Sequence, residues 1–224
     1  MNTIDIVEKI VKMNPDIELL TFTKYPEQIP IQKKINLSEI DEEFIANALV
    51  IRDLYKFPFW DCLMVSLFDK ENVSDRILSS ALLHNKNKEI IKTRDVQDIV
   101  TVFQRDPKIN LSLNSEILFS NSKFKHLCLL DFHIFPSENN LQIATKVIRA
   151  LKLSGHILDS GESYHFISDT FYDLDSILNI LAMSLLFSPI IDRAWVAHQI
   201  LERSCSIRVG MKHSKFPIVV KKVD

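Results

Sequence analysis

One segment of this 224-residue chain is suited to a buried strand and yet carries two ionisable groups: LCLLDFHIFP, at positions 127–136. Its leucine, cysteine, phenylalanine and isoleucine side chains favour a strand in a core. Because side chains alternate between the two faces of a strand, Asp131 and His133 share one face, while Phe132 and Ile134 share the other. The segment therefore predicts a sheet with one face in the core and one open, polar face.

The second half of the chain continues this strand with alternating helix and strand patterns. They are a helix at 139–155, two strands around a Ser-Gly-Glu turn within 156–168, helices at 173–187 and 192–203, and strands at 205–210 and 216–222. Hydrophobic period and turn residues agree in each of these segments. The order β-α-β-β-α-α-β-β predicts a helix-backed, mainly antiparallel sheet.

The first half is expected to form an α/β lobe of its own. Its predicted elements are helices at 1–14 and 38–55, a helix that begins at Ser74, and strands at 57–69, 88–92, 97–103 and 115–120. Ser38 and Asp41 have the spacing of a capping box for the second helix. We therefore predict one α/β (α+β) domain over residues 1–224, with an N-terminal lobe at 1–120 and an RRM-like lobe at 121–224 that carries the candidate site.

Composition and cysteine usage indicate a protein from a reducing compartment. The chain is 46% hydrophobic and 25% charged, with a net charge of -2 that excludes a strongly basic protein. Cys62, Cys128 and Cys205 are widely spaced in apolar contexts, which favours reduced core thiols over a zinc site. The apolar stretch at 177–191 is broken by Pro189 and is too short for a membrane span. We expect a cytoplasmic protein with no membrane partner.

The C-terminal tail differs in charge from the rest of the chain. Between Arg203 and Lys222 it carries six basic residues and no acidic one. A local excess of positive charge favours contact with phosphates. Lysines also protect exposed strand edges, so a basic edge strand without a ligand stays an open alternative.

Ser163 and His165 alternate with apolar residues on a later predicted strand, as Asp131 and His133 do on the first. If the two strands are neighbours, His165 comes near Asp131 and His133. A carboxylate and imidazoles together can bind a divalent ion or a phosphate. Each residue alone also has an ordinary role open to it, since Asp131 can bond a neighbouring backbone and a half-buried histidine needs no ligand.

These segments resemble the archaeo-eukaryotic primase superfamily of primase-polymerases, as a divergent bacterial-type member. LLDFH resembles the family's Asp-x-Asp or Asp-x-Glu strand, SGESYHFI its Ser-x-His strand, and PIIDRAW through SIRVGMKHSK its later acidic and basic segments. The resemblance covers roughly residues 120–222. It implies a two-lobed primase-polymerase-like fold and metal-dependent nucleotidyl transfer to a DNA or RNA end in DNA replication.

The resemblance implies that Asp131, His133 and Asp192 are catalytic metal ligands for Mn²⁺ or Mg²⁺. The chain departs from the family at His133, which stands where the family has a second acid. Magnesium prefers oxygen ligands, whereas imidazole suits manganese, cobalt or zinc better. Either the metal preference differs, or a single ion binds, or catalysis has been lost. Asp192 can also act simply as the N-cap of the helix that follows it.

The resemblance further implies a set of nucleotide-binding residues. His165, supported by Ser160 and Tyr164, would contact the phosphates of an incoming nucleoside triphosphate. Arg208 and Lys212 would bind the triphosphate or the template backbone.

Three functions follow from these residues. The first is a primase-polymerase-like nucleotidyltransferase that acts on single-stranded or primer-template nucleic acid. The second is a catalytically inactive subunit that binds nucleotide or nucleic acid within a replication, repair or defence assembly. The third is a metallo-phosphoesterase built from the same aspartates and histidines.

Overall fold

The computed structural model describes residues 1–25, 42–57, 59–66, 88–106, 109–211 and 215–224. The chain divides into two compact units, of which the larger combines Met1–Lys24 with Glu89–Asp224 and the smaller is Tyr25–Lys88. Strands from both sides of residue 120 share one sheet in the larger unit, while the division into lobes at 1–120 and 121–224 stays a prediction.

The described residues form seven helices and eight strands, numbered here in chain order. The helices are α1 (Thr3–Met13), α2 (Glu42–Tyr55), α3 (Phe59–Ser66), α4 (Val96–Arg105), α5 (Glu138–Ala150), α6 (Leu174–Ser184) and α7 (Arg193–Glu202), with a 3₁₀ turn at Leu185–Phe187. The strands are β1 (Ile17–Lys24), β2 (Glu89–Thr93), β3 (Leu111–Phe119), β4 (Phe124–Asp131), β5 (Gly155–Asp159), β6 (Tyr164–Tyr172), β7 (Ser206–Arg208) and β8 (Ile218–Val223). Helices α2 and α3 belong to the smaller unit, and this mixture of helices with one antiparallel sheet is an α+β fold.

The sheet has the strand order β2-β1-β3-β4-β6-β5-β8, and β7 pairs with β3 outside this path. Strand β4 pairs with β3 only at Glu116–Leu118, whereas β7 pairs with β3 at Ser112–Asn114. Strand β7 therefore occupies the part of the β3 edge that β4 leaves. This arrangement brings the basic tail into contact with β4, the strand that ends at Asp131.

The core of the larger unit is a continuous apolar cluster, and its largest fully buried side chains include Phe132 and Phe166. Phe132 follows the last residue of β4, and Phe166 lies on the neighbouring strand β6. Each of these rings anchors the backbone next to a polar candidate residue. Burying a phenylalanine contributes about 1.5–3 kcal/mol, so these positions of the sheet are well fixed.

The prediction of an open polar sheet face is wrong for these strands. Strand β4 is buried from His126 to Leu130, and β6 is buried from Tyr164 to Ser168, on both faces. The physical reason is visible in the sequence, because a near-continuous apolar run such as LCLL belongs to a strand that is covered on both sides. The polar groups lie instead at the end of β4 and just beyond it.

The element order predicted for the second half, from β4 to β8, is confirmed. Two strand predictions are wrong, since the segment 57–69 contains helix α3 and the segment 97–103 lies within helix α4. In α4 the side chain of Asp95 accepts a hydrogen bond from the Gln97 backbone at 2.8 Å, which caps a helix despite its β-branched residues. The capping box at 38–41 and the helix start at Ser74 lie outside the described residues.

The apolar segment 177–191 forms α6 and the 3₁₀ turn after it. Ile177 and Leu181 are fully buried there, as predicted for a core helix. Among the residues that the structure describes, no helix has the length and apolar character to cross a bilayer.

Candidate functional site

Strands β4 and β6 are neighbours, and their register places Asp131 directly opposite His165. The Nε2 atom of His165 lies 3.6 Å from Oδ1 of Asp131. The Oγ atom of Ser163 donates a long hydrogen bond to the same oxygen at 3.5 Å. The imidazole is 7% exposed and the carboxylate 26% exposed, so the pair lies at the margin of the core. The proximity of Asp131 and His165 predicted from strand alternation is thus confirmed.

Asp192, which lies 61 positions after Asp131 in the chain, is held beside it by backbone hydrogen bonds. The amide of Asp192 donates to the carbonyl of Asp131 at 3.1 Å, and the amide of His133 donates to the carbonyl of Ile190 at 2.7 Å. These bonds bring Nδ1 of His133 to 3.9 Å from Oδ2 of Asp192. The site therefore contains a second pair of a carboxylate and an imidazole, and its His133 side chain is 74% exposed.

Asp192 is also the N-cap of α7. Its Oδ1 atom accepts a hydrogen bond from the Trp195 backbone amide at 2.9 Å. This bond satisfies one of the amides that every helix leaves open at its first turn. One oxygen of Asp192 thus has a structural role, and the other faces His133.

Arg208 fastens the basic tail to the turn between β5 and β6. Its Nη2 atom donates to the carbonyl of Ser160 at 2.6 Å, and its Nη1 atom donates to the carbonyl of Gly210 at 2.7 Å. Burial lowers the pKa of Arg208, while the negative charges of Asp131 and Glu162 act to raise it. Arg208 stays a cation at neutral pH, and it lies within electrostatic reach of Asp131.

The turn at 160–163 has the aliphatic part of Lys215 beside its glycine. Gly161 has a φ of +97°, a conformation that favours glycine, and its amide donates to Oδ1 of Asp159 at 2.7 Å. The Cδ atom of Lys215 lies 3.9 Å from the position that a Cβ atom on Gly161 would take. The Ser160 hydroxyl bonds to Ser163 within the turn. Arg208 and Lys215 thus flank this turn, and the predicted phosphate contact Lys212 lies outside the described residues.

Tyr164 is buried, and its hydroxyl bonds to the backbone of Ser137. The hydroxyl donates to the Ser137 carbonyl at 2.8 Å and accepts from the Ser137 amide at 2.8 Å. Burial raises the pKa of Tyr164, so the phenol stays protonated at neutral pH. Tyr164 therefore positions the loop before α5, and its contact with a nucleotide stays a prediction.

Residues 84–221 match the family described as archaeo-eukaryotic primase 1D-like. This range covers more than half of the chain and includes all the site residues described above. The chain belongs to the archaeo-eukaryotic primase family. No curated protein and no solved structure gives a significant match.

Catalysis by archaeo-eukaryotic primases requires divalent ions, which side chains of the site would have to bind. Among the residues that the structure describes, no three His, Cys, Asp or Glu side chains converge closely enough to hold one ion. Asp131 pairs with His165, and His133 pairs with Asp192. The donors are of kinds that manganese accepts, but they meet as two pairs and do not fit a preformed three-ligand centre.

Two features of this primase-family site are missed by the sequence reasoning. Lys215 is recognised only as part of a basic tail, because its position beside Gly161 is a long-range contact with no local signal in the sequence. Phe135 is not selected either, although the alternation at Asp131 and His133 extends to it and could have identified it.

Proposed function

We propose that this chain is a nucleic-acid- and nucleotide-binding member of the archaeo-eukaryotic primase family that acts as a non-catalytic subunit. The observation that carries the proposal is the pairing at the site: each carboxylate lies beside an imidazole, at 3.6 Å and 3.9 Å. Two-metal nucleotidyl transfer needs acids that face one another across the ions. An imidazole in the place of an opposing carboxylate removes negative charge from the site, which leaves the charge of nearby cations to act on a phosphate.

The cations that support phosphate binding are Arg208 and Lys215. Among the described residues, two of the five N–H groups of Arg208 donate to backbone carbonyls, and the guanidinium has three more donors that could reach a phosphate oxygen. Lys215 is exposed, and its Cδ atom lies beside Gly161 in the turn to which Arg208 is bonded. A phosphate at this turn would meet two positive charges.

A salt titration of single-stranded DNA binding tests the proposal. Replacing Lys215 with alanine removes one phosphate contact, so we expect weaker binding at low salt and a slope of log K against log salt that is smaller by about 0.7. Lys146→Ala is the matched control, because Lys146 is an exposed lysine on α5 away from the turn. Equal slopes for the wild type, Lys215→Ala and Lys146→Ala would contradict a phosphate site at this turn.

Manganese-dependent nucleotidyl transfer is the second candidate, and one observation favours it. The backbone bond between Asp192 and Asp131, at 3.1 Å, keeps two acids adjacent beside His133, and carboxylates with imidazoles suit Mn²⁺. Titration with Mn²⁺, followed by the paramagnetic resonance of the free ion, separates the candidates. Stoichiometric binding that Asp131→Asn abolishes would favour the second candidate, and the absence of such binding supports the first.

The proposed setting is a cytoplasmic replication, repair or defence assembly. The thiols of Cys128 and Cys205 are free and buried in the larger unit. Burial raises the pKa of both thiols, that of Cys205 to about 12, so neither forms a reactive thiolate at neutral pH. Unpaired core cysteines are usual in proteins of reducing compartments, which supports the location inferred from the sequence.

A further inference from the structure

The segment after β4 presents an aromatic ring to solvent. From Asp131 to Phe135 burial alternates: Phe132 is buried and Ile134 half-buried, whereas His133 and Phe135 are exposed. Phe135 is 79% exposed, which is far more than its neighbours in the apolar run. The phenyl ring therefore lies in solvent two residues beyond His133, after the chain bends at Ile134.

The backbone that carries this ring is held in place. The side-chain amide of Asn140 donates to the carbonyl of Phe135 at 2.8 Å. Two residues further on, the Tyr164 hydroxyl bonds to both backbone groups of Ser137, the N-cap of α5. The loop is thus bonded to α5 and to β6, while its largest apolar side chain is left in water.

An exposed ring on a fixed backbone loses little conformational entropy when a planar ligand stacks on it, because the backbone is already ordered before binding. Single exposed apolar residues are common on proteins, so exposure alone does not identify a ligand. Here the ring lies two residues from His133, which faces Asp192. Arg208 lies within electrostatic reach of Asp131, the last residue of β4. Aromatic rings beside cations that bind phosphates are the arrangement by which proteins hold unpaired nucleic-acid bases.

We propose that Phe135 is a stacking platform for one unpaired nucleobase whose phosphate lies near the turn at 160–163. The inference rests on the proposed function and adds the part of the ligand that the ring contacts. A nucleobase is favoured over a protein partner because the solvent-accessible residues that precede the ring in the chain are a carboxylate and an imidazole, Asp131 and His133. A protein interface core would instead contain further apolar side chains.

The test compares a labelled oligothymidylate with an abasic oligomer of the same length and charge, by fluorescence anisotropy at one low salt concentration. The wild type is expected to bind the base-containing strand more tightly. Phe135→Leu keeps an apolar side chain but removes the π face, and should weaken binding of oligothymidylate by about 5- to 150-fold. Its binding of the abasic strand should be unchanged, and Phe135→Trp should restore binding of oligothymidylate.

Phe124→Leu is the matched control, because Phe124 is a half-exposed phenylalanine at the opposite end of β4 and should leave both affinities unchanged. A parallel comparison of a nucleoside triphosphate with inorganic tripolyphosphate identifies the source of the base. An effect of Phe135→Leu on the triphosphate assigns the base to a free nucleotide, and an effect on oligothymidylate alone assigns it to a strand.

The two proposals fail in different ways. If the wild type binds both oligomers equally, or if Phe135→Leu binds oligothymidylate as tightly as the wild type, the stacking platform is wrong while the phosphate site stands. If the wild type binds neither oligomer nor either phosphate compound, both proposals are wrong. A Phe135→Leu variant that loses a self-association or protein contact but no nucleic-acid affinity also overturns the stacking role.

Discussion

At the scale of single residues, the polar groups of this site hold the fold together by bonding to the backbone. Asp192 caps α7, Arg208 bonds two backbone carbonyls, and Tyr164 bonds the loop before α5. Removing any of them changes the structure and the ligand site at once. Substitutions that keep the bond and change the charge are therefore needed to separate the two roles.

Asp192 offers such a pair of substitutions. Asparagine caps a helix about as well as aspartate, whereas alanine cannot accept the Trp195 amide. We expect Asp192→Ala to lower the free energy of unfolding by about 1 kcal/mol, and Asp192→Asn to leave it nearly unchanged. Urea denaturation measures both, and equal losses for the two variants would show that the carboxylate charge, and not the cap, stabilises α7.

At the scale of elements, sequence patterns identify those whose local signals agree. Strand β4 and helix α5 have both the right period and the right end residues, and both are predicted correctly. Helix α4 is missed because it is rich in β-branched residues, which favour a strand. The opposing signal is the helical spacing of Val96, Ile99 and Phe103, which are buried on one face of the helix. Strand β1 is missed because its place between β2 and β3 is decided by long-range pairing.

Gly155 fixes the start of β5 by its close approach to β6. A Cβ atom there would lie 2.7 Å from the Cα atom of Ser168 and would also collide with the Ile167 carbonyl, and the φ of +152° disfavours a side chain. Gly155→Ala should lower the free energy of unfolding by roughly 1–3 kcal/mol. Gly161→Ala is the control, because it shares the strain of a positive φ but has only Lys215 Cδ at 3.9 Å near the added Cβ. Thermal denaturation that shows a smaller loss at Gly155 than at Gly161 would contradict this packing.

The pairing of β3 with β4 buries His126, whose Nδ1 atom lies 3.1 Å from Ser115 Oγ. Burial lowers the pKa of His126 below its ordinary value of 6.5. The unfolded chain therefore binds the proton more readily, and stability that is complete above about pH 6.5 is lost as the pH falls. Urea denaturation from about pH 7.5 to about pH 5.5 should show this loss, with a shallower dependence in His126→Gln. An unchanged dependence in His126→Gln would assign the loss to other groups.

At the scale of the whole molecule, the sequence identifies which residues meet but not how they pair. The family motifs bring Asp131, His165 and Asp192 to one end of the sheet. The pairing of each acid with an imidazole depends on the strand register and on the backbone bonds between residues 131–133 and 190–192. Such long-range geometry has no local signal in the sequence. The motifs therefore lead one to expect a three-ligand centre, whereas the described side chains form two pairs, each of a carboxylate and an imidazole.

Nucleotide incorporation by protein that binds DNA tests the central claim most directly. One preparation is measured for salt-dependent binding of single-stranded DNA and, in parallel, for extension of a labelled primer and for primer synthesis in Mg²⁺ and in Mn²⁺. We predict binding without incorporation and without hydrolysis of the triphosphate. Incorporation, or hydrolysis, that Asp131→Asn abolishes while the variant still binds DNA would contradict the account.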